Sequence, residues 1–312
     1  MIPKLDGLSR AMFARAAGAC WRAAKEALGG DAPLALRLYT YSCCDAAKAG
    51  HLGCLRYLHE IGSPLHVWTC CNAAEGGQLE CLRYARDKGS PWDERTCAAA
   101  ARVGHLEMLA YMRKNGCPWD LKTCNAAARG GHLECLRYAH DNGCPWDELT
   151  CACAAANGHL ECLRYLHENG CPWDEETCFA AAGVGHLECL RYAHDNGIEW
   201  NEVTCSEAAR GGQLECLRYL HENGCPWDEE TCIEAAGGGH VECLRYARDN
   251  GIEWNETTCR AAAEGGQLEC LRYLHENGCP WDWRTCWQAS LGGRRGHVDC
   301  LLYASENGCP WN

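Results

Sequence analysis

The sequence predicts an all-α solenoid of about ten helix–turn–helix repeats. First, a marker Cys, preceded by Thr or once by Ser, recurs at a fixed step of 27 residues, and self-similarity of this kind is typical of repeat arrays. Second, apolar and small residues recur three and four positions apart, which is the spacing of one helical face. Third, Gly and Pro recur at fixed places, where they predict helix ends. The marker Cys lies at positions 43, 70, 97, 124, 151, 178, 205, 232, 259 and 286.

The N-terminal residues 1–41 do not follow this step. Residues 8–28 are rich in Ala, Arg and Leu and predict a helix, which Gly29-Gly30-Asp31 would end. Terminal units of a solenoid need a modified outer face. We therefore expect residues 1–41 to form an N-terminal helical cap on an array that spans residues 42–312. The alternative is a degenerate adaptor module that recruits a second partner.

One copy near the middle of the chain predicts the two helices of a repeat. The second helix should run from about Leu160 to Asn169, with Gly170 as a left-handed residue at its end. Pro172 cannot continue that helix. Asp174 is a natural N-cap, so the next first helix should cover about Glu175–Ala182.

Comparison of the copies separates a packed face from a variable face on the first helix. The marker Cys and the residues three and four after it are small, and the latter are Ala in all copies except for Ser290. Residues one, two and five after the marker Cys vary, so we expect a partner to bind there; unselected drift between duplicated copies is the alternative. The candidate partner-binding residues are Asn125, Phe179, Ser206, Glu207, Ile233, Glu234, Arg260, Glu264 and Trp287.

A Trp also recurs at the repeat step, from Trp92 to Trp281. A buried Trp removes about 150–250 Å² from water, which amounts to roughly 4–6 kcal/mol gross at about 25 cal/mol per Å². We therefore interpret this column as structural, and expect Trp173→Ala to lower the free energy of unfolding by about 3–5 kcal/mol.

Columns of Cys and His raise the question of metal binding. His159 and Cys162 are three residues apart on one predicted helix and could share a metal ion. Other copies replace Cys by Met108 or Ile198, and His by Arg86. A four-ligand site does not tolerate such replacements, whereas a core position accepts Cys, Met and Ile alike. We predict packing, with no metal and no cofactor; a zinc-binding or thiol-rich repeat protein is the alternative.

The repeats resemble ankyrin repeats. The run HLECLRYLHENGCPWD at residues 159–174 resembles the ankyrin pattern GHLEVVKLLLENGADVN, and the preceding TCAAAAxxG resembles TPLHLAAxxG. The units are shorter than the usual 33 residues, and the missing residues fall where ankyrin repeats carry a projecting β-hairpin. Short repeats with CPWDE are similar to those abundant in giant DNA viruses of amoebae and in some protists. The resemblance implies hairpin-less ankyrin-like repeats that recognise proteins on a concave face.

Composition narrows the function and the location. The net charge of −13 argues against a nucleic-acid partner, which would need clustered Lys and Arg, and no apolar run is long enough to span a membrane. The 29 Cys, an odd count without a secretion signal, indicate a reducing intracellular compartment. We expect a monomer in the cytoplasm, and the viral resemblance adds a host cell's cytoplasm or nucleus.

The sequence therefore predicts a non-enzymatic scaffold for protein–protein interaction. The motifs GxxxxGK[ST], GxSxG and HExxH are absent from the sequence. The partner should be a protein that offers a basic, aromatic or aliphatic peptide, because the variable face combines Glu207 and Glu234 with Phe179, Ile233 and Trp287. A structural spacer without a dedicated partner is a further alternative.

Overall fold

The computed structural model describes residues 42–292 and 295–311 of the chain. These residues form twenty α-helices and no β-strand, which confirms the all-α repeat architecture. The chain divides into two compact units between Trp146 and Asp147. The predicted N-terminal cap lies outside the described residues. Among the described helices, none combines the length and the apolar character needed to cross a membrane.

The helices alternate between a first and a second helix of each repeat. The unit before Asp147 contains α1 (Cys43–Lys48), α2 (Leu52–Glu60), α3 (Val67–Glu75), α4 (Leu79–Asp87), α5 (Glu94–Arg102), α6 (Leu106–Lys114), α7 (Leu121–Gly130) and α8 (Leu133–Asp141). The unit from Asp147 onward contains α9 (Glu148–Ala156), α10 (Leu160–Glu168), α11 (Glu175–Val184), α12 (Leu187–Asp195), α13 (Glu202–Arg210), α14 (Leu214–Glu222), α15 (Glu229–Gly238), α16 (Val241–Asp249), α17 (Glu256–Glu264), α18 (Leu268–Glu276), α19 (Trp283–Leu291) and α20 (Arg295–Glu306).

The first helices begin where the sequence predicts. The side chain of Asp174 accepts a hydrogen bond at 3.1 Å from the backbone N–H of Glu176, and so satisfies one of the open donors of α11. In α13, Asn201 does the same for Val203 at 3.0 Å, and Thr204 accepts the backbone N–H of Asn201 at 3.3 Å. This reciprocal arrangement is a capping box.

The second helices end in a left-handed Gly, as predicted for Gly170. Gly170 has φ +78°, and the N–H of the next residue, Cys171, donates to the carbonyl of Leu166 at 2.9 Å. This is the Schellman motif, which uses carbonyls that would otherwise remain open at the helix end. A side chain is strained at this φ, so Gly at this position fixes a sharp and identical exit for the chain in each repeat.

Small residues form the core between the first helices of each unit, and Leu forms it beneath the second helices. Cys178, Ala181 and Ala182 in α11 are fully buried, as are Leu163 and Leu166 in α10. Within a unit, successive first helices pack closely against each other, whereas successive second helices touch less. Ala and Cys at these positions allow that close approach because they project so little from the helix.

The Trp column is only half-buried, which differs from the prediction. Trp173 is of intermediate exposure, and Trp254 is the most buried member at 9%. Trp173 lies flat against His167 with ring centroids 4.0 Å apart, so one of its faces is covered by a polar ring. The column is structural, but it buries less area than a core Trp would.

Candidate functional site

The first helices of a unit are close enough for the backbones to meet. A Cβ added to Gly211, the C-cap of α13, would overlap the backbone carbonyl oxygen of Gly183 in α11. Gly211 itself has ordinary helical angles, with φ −80° and ψ −5°, so the close approach is the reason for Gly at this place. The surface formed by these helices is therefore shaped mainly by the few side chains that project from it.

A groove of about 270 Å³ lies on this surface between α9, α11 and α13. Phe179 lies in its lining, and Val184, which is 54% exposed, forms part of its edge. Glu207 and Arg210 supply its charged groups. The remaining lining residues are small: Ala156, Ala180, Gly183 and Gly211.

The groove exists because long side chains are missing at one repeat position. Five residues after the marker Cys, most copies carry a long charged side chain, as in Lys48, Arg102 and Arg210. This column is interrupted at Ala156, Gly183, Gly237 and Leu291, and Ala156 and Gly183 lie in adjacent repeats. Phe179 precedes Gly183 by four residues and so lies on the same side of α11, where it is half-buried. The apolar opening is thus a local departure from the repeat.

The charges beside the groove are predominantly acidic. Arg210 forms an ion pair with Glu207. One repeat further, burial raises the pKa of Glu234 above its ordinary value, and the nearby carboxylates of Glu230 and Glu207 add to this shift while Arg210 opposes it. One guanidinium therefore faces three carboxylates, so an added cation would be favourable here.

The structure brings two of the predicted partner-binding residues together and buries two others. Phe179 and Glu207 both line the groove. Asn125 and Ser206 are only 8% and 7% exposed, so the expectation that they lie on an open face is wrong. The tight stacking of first helices covers both positions, and the Ser206 hydroxyl donates to the carbonyl of Val203 at 3.0 Å.

The other predicted residues lie on the same set of helices, outside the groove lining. Ile233 and Glu234 on α15 are half-buried. On α17, Arg260 donates to the Thr257 hydroxyl at 2.8 Å. Glu264 accepts a hydrogen bond from the side chain of Gln288 at 3.2 Å. Trp287 is 49% exposed, and its ring centroid lies 6.4 Å from that of Trp283.

The sequence prediction missed six residues of the groove. Val184 and Arg210 were not among the candidates for binding, and neither were the small residues Ala156, Ala180, Gly183 and Gly211. The signal was present in the sequence, because Ala156 and Gly183 interrupt a column of charged residues. A missing side chain is a weak signal without knowledge of what lies beside it.

The corresponding face of the other unit is closed by an ion-pair ladder. Glu75 on α3 binds Lys48 on α1 at 2.9 Å and Arg102 on α5 at 2.8 Å. The hydrogen bond from Lys48, aided by Arg102, lowers the pKa of Glu75 below its ordinary value despite partial burial. Lys48, Glu75 and Arg102 occupy the repeat position at which Ala156 and Gly183 lack a long side chain.

The His columns serve packing and turns. The second His column stacks on Trp, as in His194 against Trp200 at 3.5 Å between centroids, and Arg86 takes the same place over Trp92 at 3.9 Å. The first column packs on turns: the ring of His186 lies against Gly158, where a Cβ would collide with it. Within residues 42–292 and 295–311, no group of three or more His, Cys, Asp or Glu side chains is arranged to hold a metal ion.

Comparison with known proteins points to one family. Residues 124–167, 178–221 and 232–275 match the model for ankyrin repeats (many copies), whereas no curated protein matches the chain. Among solved structures, the human ASB11 ankyrin repeat domain matches 60% of this chain and 98% of its own, with 21% identity and a TM-score of 0.46. The family match, together with the helix–turn–helix repeats, shows that these three segments of the chain are ankyrin repeats.

Proposed function

We propose that this protein is a non-enzymatic scaffold that binds a partner protein through the groove between α9, α11 and α13. Ankyrin repeats are general modules for protein–protein interaction. The observation that carries the proposal is that Phe179 lies in an open groove whose charged end holds Glu207 and Arg210. These two groups already pair with each other, so they provide binding contacts and no activated acid or base.

The groove fits a peptide segment with one apolar side chain next to a Lys or Arg. A volume of about 270 Å³ accommodates one or two side chains, and its lining of Phe179, Val184 and small residues favours an aliphatic or aromatic one. The excess of carboxylates at Glu207, Glu230 and Glu234 favours a neighbouring cation and steers it from a distance. The chain's net charge of −13 supports a protein partner over a nucleic acid, and we propose that the chain acts as a monomer.

Selection of peptides on the purified chain tests the proposal without knowledge of the natural partner. A displayed library of random peptides should yield binders in which Lys or Arg lies beside an aliphatic or aromatic residue. Phe179→Asp should weaken their binding at least about tenfold, because a carboxylate in the groove loses water without gaining a partner. Ala98 occupies the same repeat position in α5, so Ala98→Asp is the matched control and should bind as the wild type does.

A second variant separates the groove from the fold. Gly183→Arg restores the long side chain that Arg210 provides one repeat later, and it should fill the opening while the circular dichroism spectrum stays unchanged. Loss of peptide binding in this folded variant supports the groove. Selected peptides that are acidic, or that bind Phe179→Asp and Gly183→Arg as tightly as the wild type, would show that this surface is not the site.

A further inference from the structure

A pair of buried thiols recurs inside the repeats, apart from the groove. One member is the marker Cys of the first helix; the other, here named the loop Cys, follows the Gly that ends the second helix of the same repeat. The two thiols are neighbours in Cys97–Cys117, Cys124–Cys144, Cys205–Cys225, Cys259–Cys279 and Cys286–Cys309.

The fold holds the two sulfur atoms at one place, the N-terminal turn of the first helix. The Sγ of Cys117 donates to the backbone carbonyl of Asp93 at 3.4 Å, and Asp93 is the N-cap of the helix that carries Cys97 four residues later. The same contact joins Cys225 to Asn201 at 3.2 Å. In the last pair, Cys286 and Cys309 pack in one buried cluster with Ala304.

Two repeats show that the fold does not require the second thiol. Ile198 and Ile252 replace the loop Cys opposite the marker residues Cys178 and Cys232, and both Ile side chains are 7% exposed. Ile fills the position without any sulfur contact, so packing alone is satisfied by either residue. The paired repeats therefore carry a chemical capability that the Ile repeats lack.

We propose that each marker Cys–loop Cys pair is a modification site that forms a disulfide within its repeat when a disulfide oxidant such as oxidised glutathione gains access. One thiolate attacks the oxidant, forms a mixed disulfide and releases reduced glutathione. The second thiol then loses its proton and displaces another reduced glutathione, which leaves the Cys–Cys bond. Two thiols are oxidised and one glutathione disulfide is reduced, so the step balances.

The environment of the pairs sets the conditions for this step. The neighbouring thiol and burial together raise the pKa of Cys117 beside Cys97 and that of Cys259 beside Cys279. Because the sulfur atoms are buried, the oxidant reaches them when a repeat opens locally, and the reaction should be slow in the closed fold.

Disulfide mapping on the full reduced chain tests the proposal. The protein is incubated with oxidised glutathione, remaining thiols are alkylated under denaturing conditions, and linked peptides are identified by mass spectrometry. We expect disulfides between marker Cys and loop Cys of the same repeat, as in Cys97–Cys117 and Cys205–Cys225. Each disulfide leaves two fewer thiols to be alkylated. Cys178 and Cys232 should remain unlinked, as should Cys162 and Cys189 in the second helices. Glutathione adducts without internal links, or links in random combinations, would overturn the proposal.

Two substitutions use the natural pattern as a control. Cys225→Ile copies the arrangement at Ile198, so it should fold normally and lose the link to Cys205 while all other links remain. Ile198→Cys restores a loop Cys opposite Cys178 and should gain one link with the same mass loss. If Ile198→Cys folds, judged by circular dichroism, but gains no link to Cys178 under conditions that oxidise Cys205–Cys225, the pairing is not a property of the repeat register.

Discussion

His167 lies flat against Trp173, with ring centroids 4.0 Å apart and the planes inclined by 17°. Its Nδ1 hydrogen-bonds the hydroxyl of Tyr192, in the next repeat, at 2.9 Å. The Arg164 guanidinium lies 5.3 Å from the centroid of the same Tyr ring. The second helices of neighbouring repeats are therefore joined by a polar–aromatic layer, in addition to the Leu core beneath it.

This layer lowers the expected effect of removing a Trp. Because Trp173 is half-buried, we expect Trp173→Ala to lower the free energy of unfolding by about 2 kcal/mol, which is less than the 3–5 kcal/mol of a core Trp. Trp254 is 9% exposed, so Trp254→Ala should lower the free energy of unfolding by more than Trp173→Ala does. Trp287, on α19 outside this layer, is 49% exposed, so Trp287→Ala should lower it by less. Urea unfolding of the three variants measures the order; equal losses would contradict the dependence on burial.

The local parts of this fold were predictable from the sequence, and the contacts between repeats were not. The helix bounds, the Asp174 cap and the buried Cys, Ala and Leu follow from spacing along a single segment. His167 and Arg86 occupy equivalent repeat positions, and in the sequence this replacement shows no common role. Their shared role, stacking on Trp, depends on how neighbouring segments meet. The groove was missed for a related reason: it arises where Ala156 and Gly183 omit side chains that other repeats carry.

Arg should substitute for His in the Trp layer. Arg248 already lies over Trp254, with 4.5 Å from its guanidinium carbon to the ring centroid. We expect His167→Arg to keep the stacking and lose the hydrogen bond to Tyr192, which should lower the free energy of unfolding by less than about 1 kcal/mol. His167→Ser removes both contacts and should lose about 1–2 kcal/mol. Chemical unfolding distinguishes the two, and identical losses would show that the stacking contributes nothing.

The close backbone approach in the second unit predicts opposite outcomes for two Gly residues. Gly211→Ala forces a Cβ into the carbonyl oxygen of Gly183, so it should separate α11 from α13 and lose about 2 kcal/mol or more. At Gly183, a Cβ would meet only ordinary van der Waals contacts with Glu207, at 3.5 Å from its side-chain oxygen and 3.6 Å from its carbonyl oxygen. Gly183→Ala should therefore be neutral or stabilising by up to about 1 kcal/mol, from helix propensity. Thermal unfolding of both variants at one scan rate gives the comparison, and a loss at Gly183 as large as at Gly211 would refute the steric argument.

Glu234 should make the stability of the chain depend on pH in a direction opposite to that of an ion-paired carboxylate. Burial raises its pKa in the folded state above the value of about 4.3 in an unfolded chain, so folding favours its protonated form. The ionised side chain therefore lowers stability at neutral pH, and this loss disappears as the pH falls below about 4.

Glu234→Gln mimics the protonated side chain, and its unfolding midpoint should exceed that of the wild type at pH 7. The two proteins should converge at acidic pH, because the wild-type side chain then carries no charge either. Glu253→Gln is the control for net charge, since Glu253 is exposed in a loop, and it should leave the midpoint unchanged at both pH values. A midpoint at pH 7 that stays the same or falls in Glu234→Gln would mean that the ionised carboxylate is already compensated. The argument for a cationic partner beside the groove would then lose its electrostatic basis.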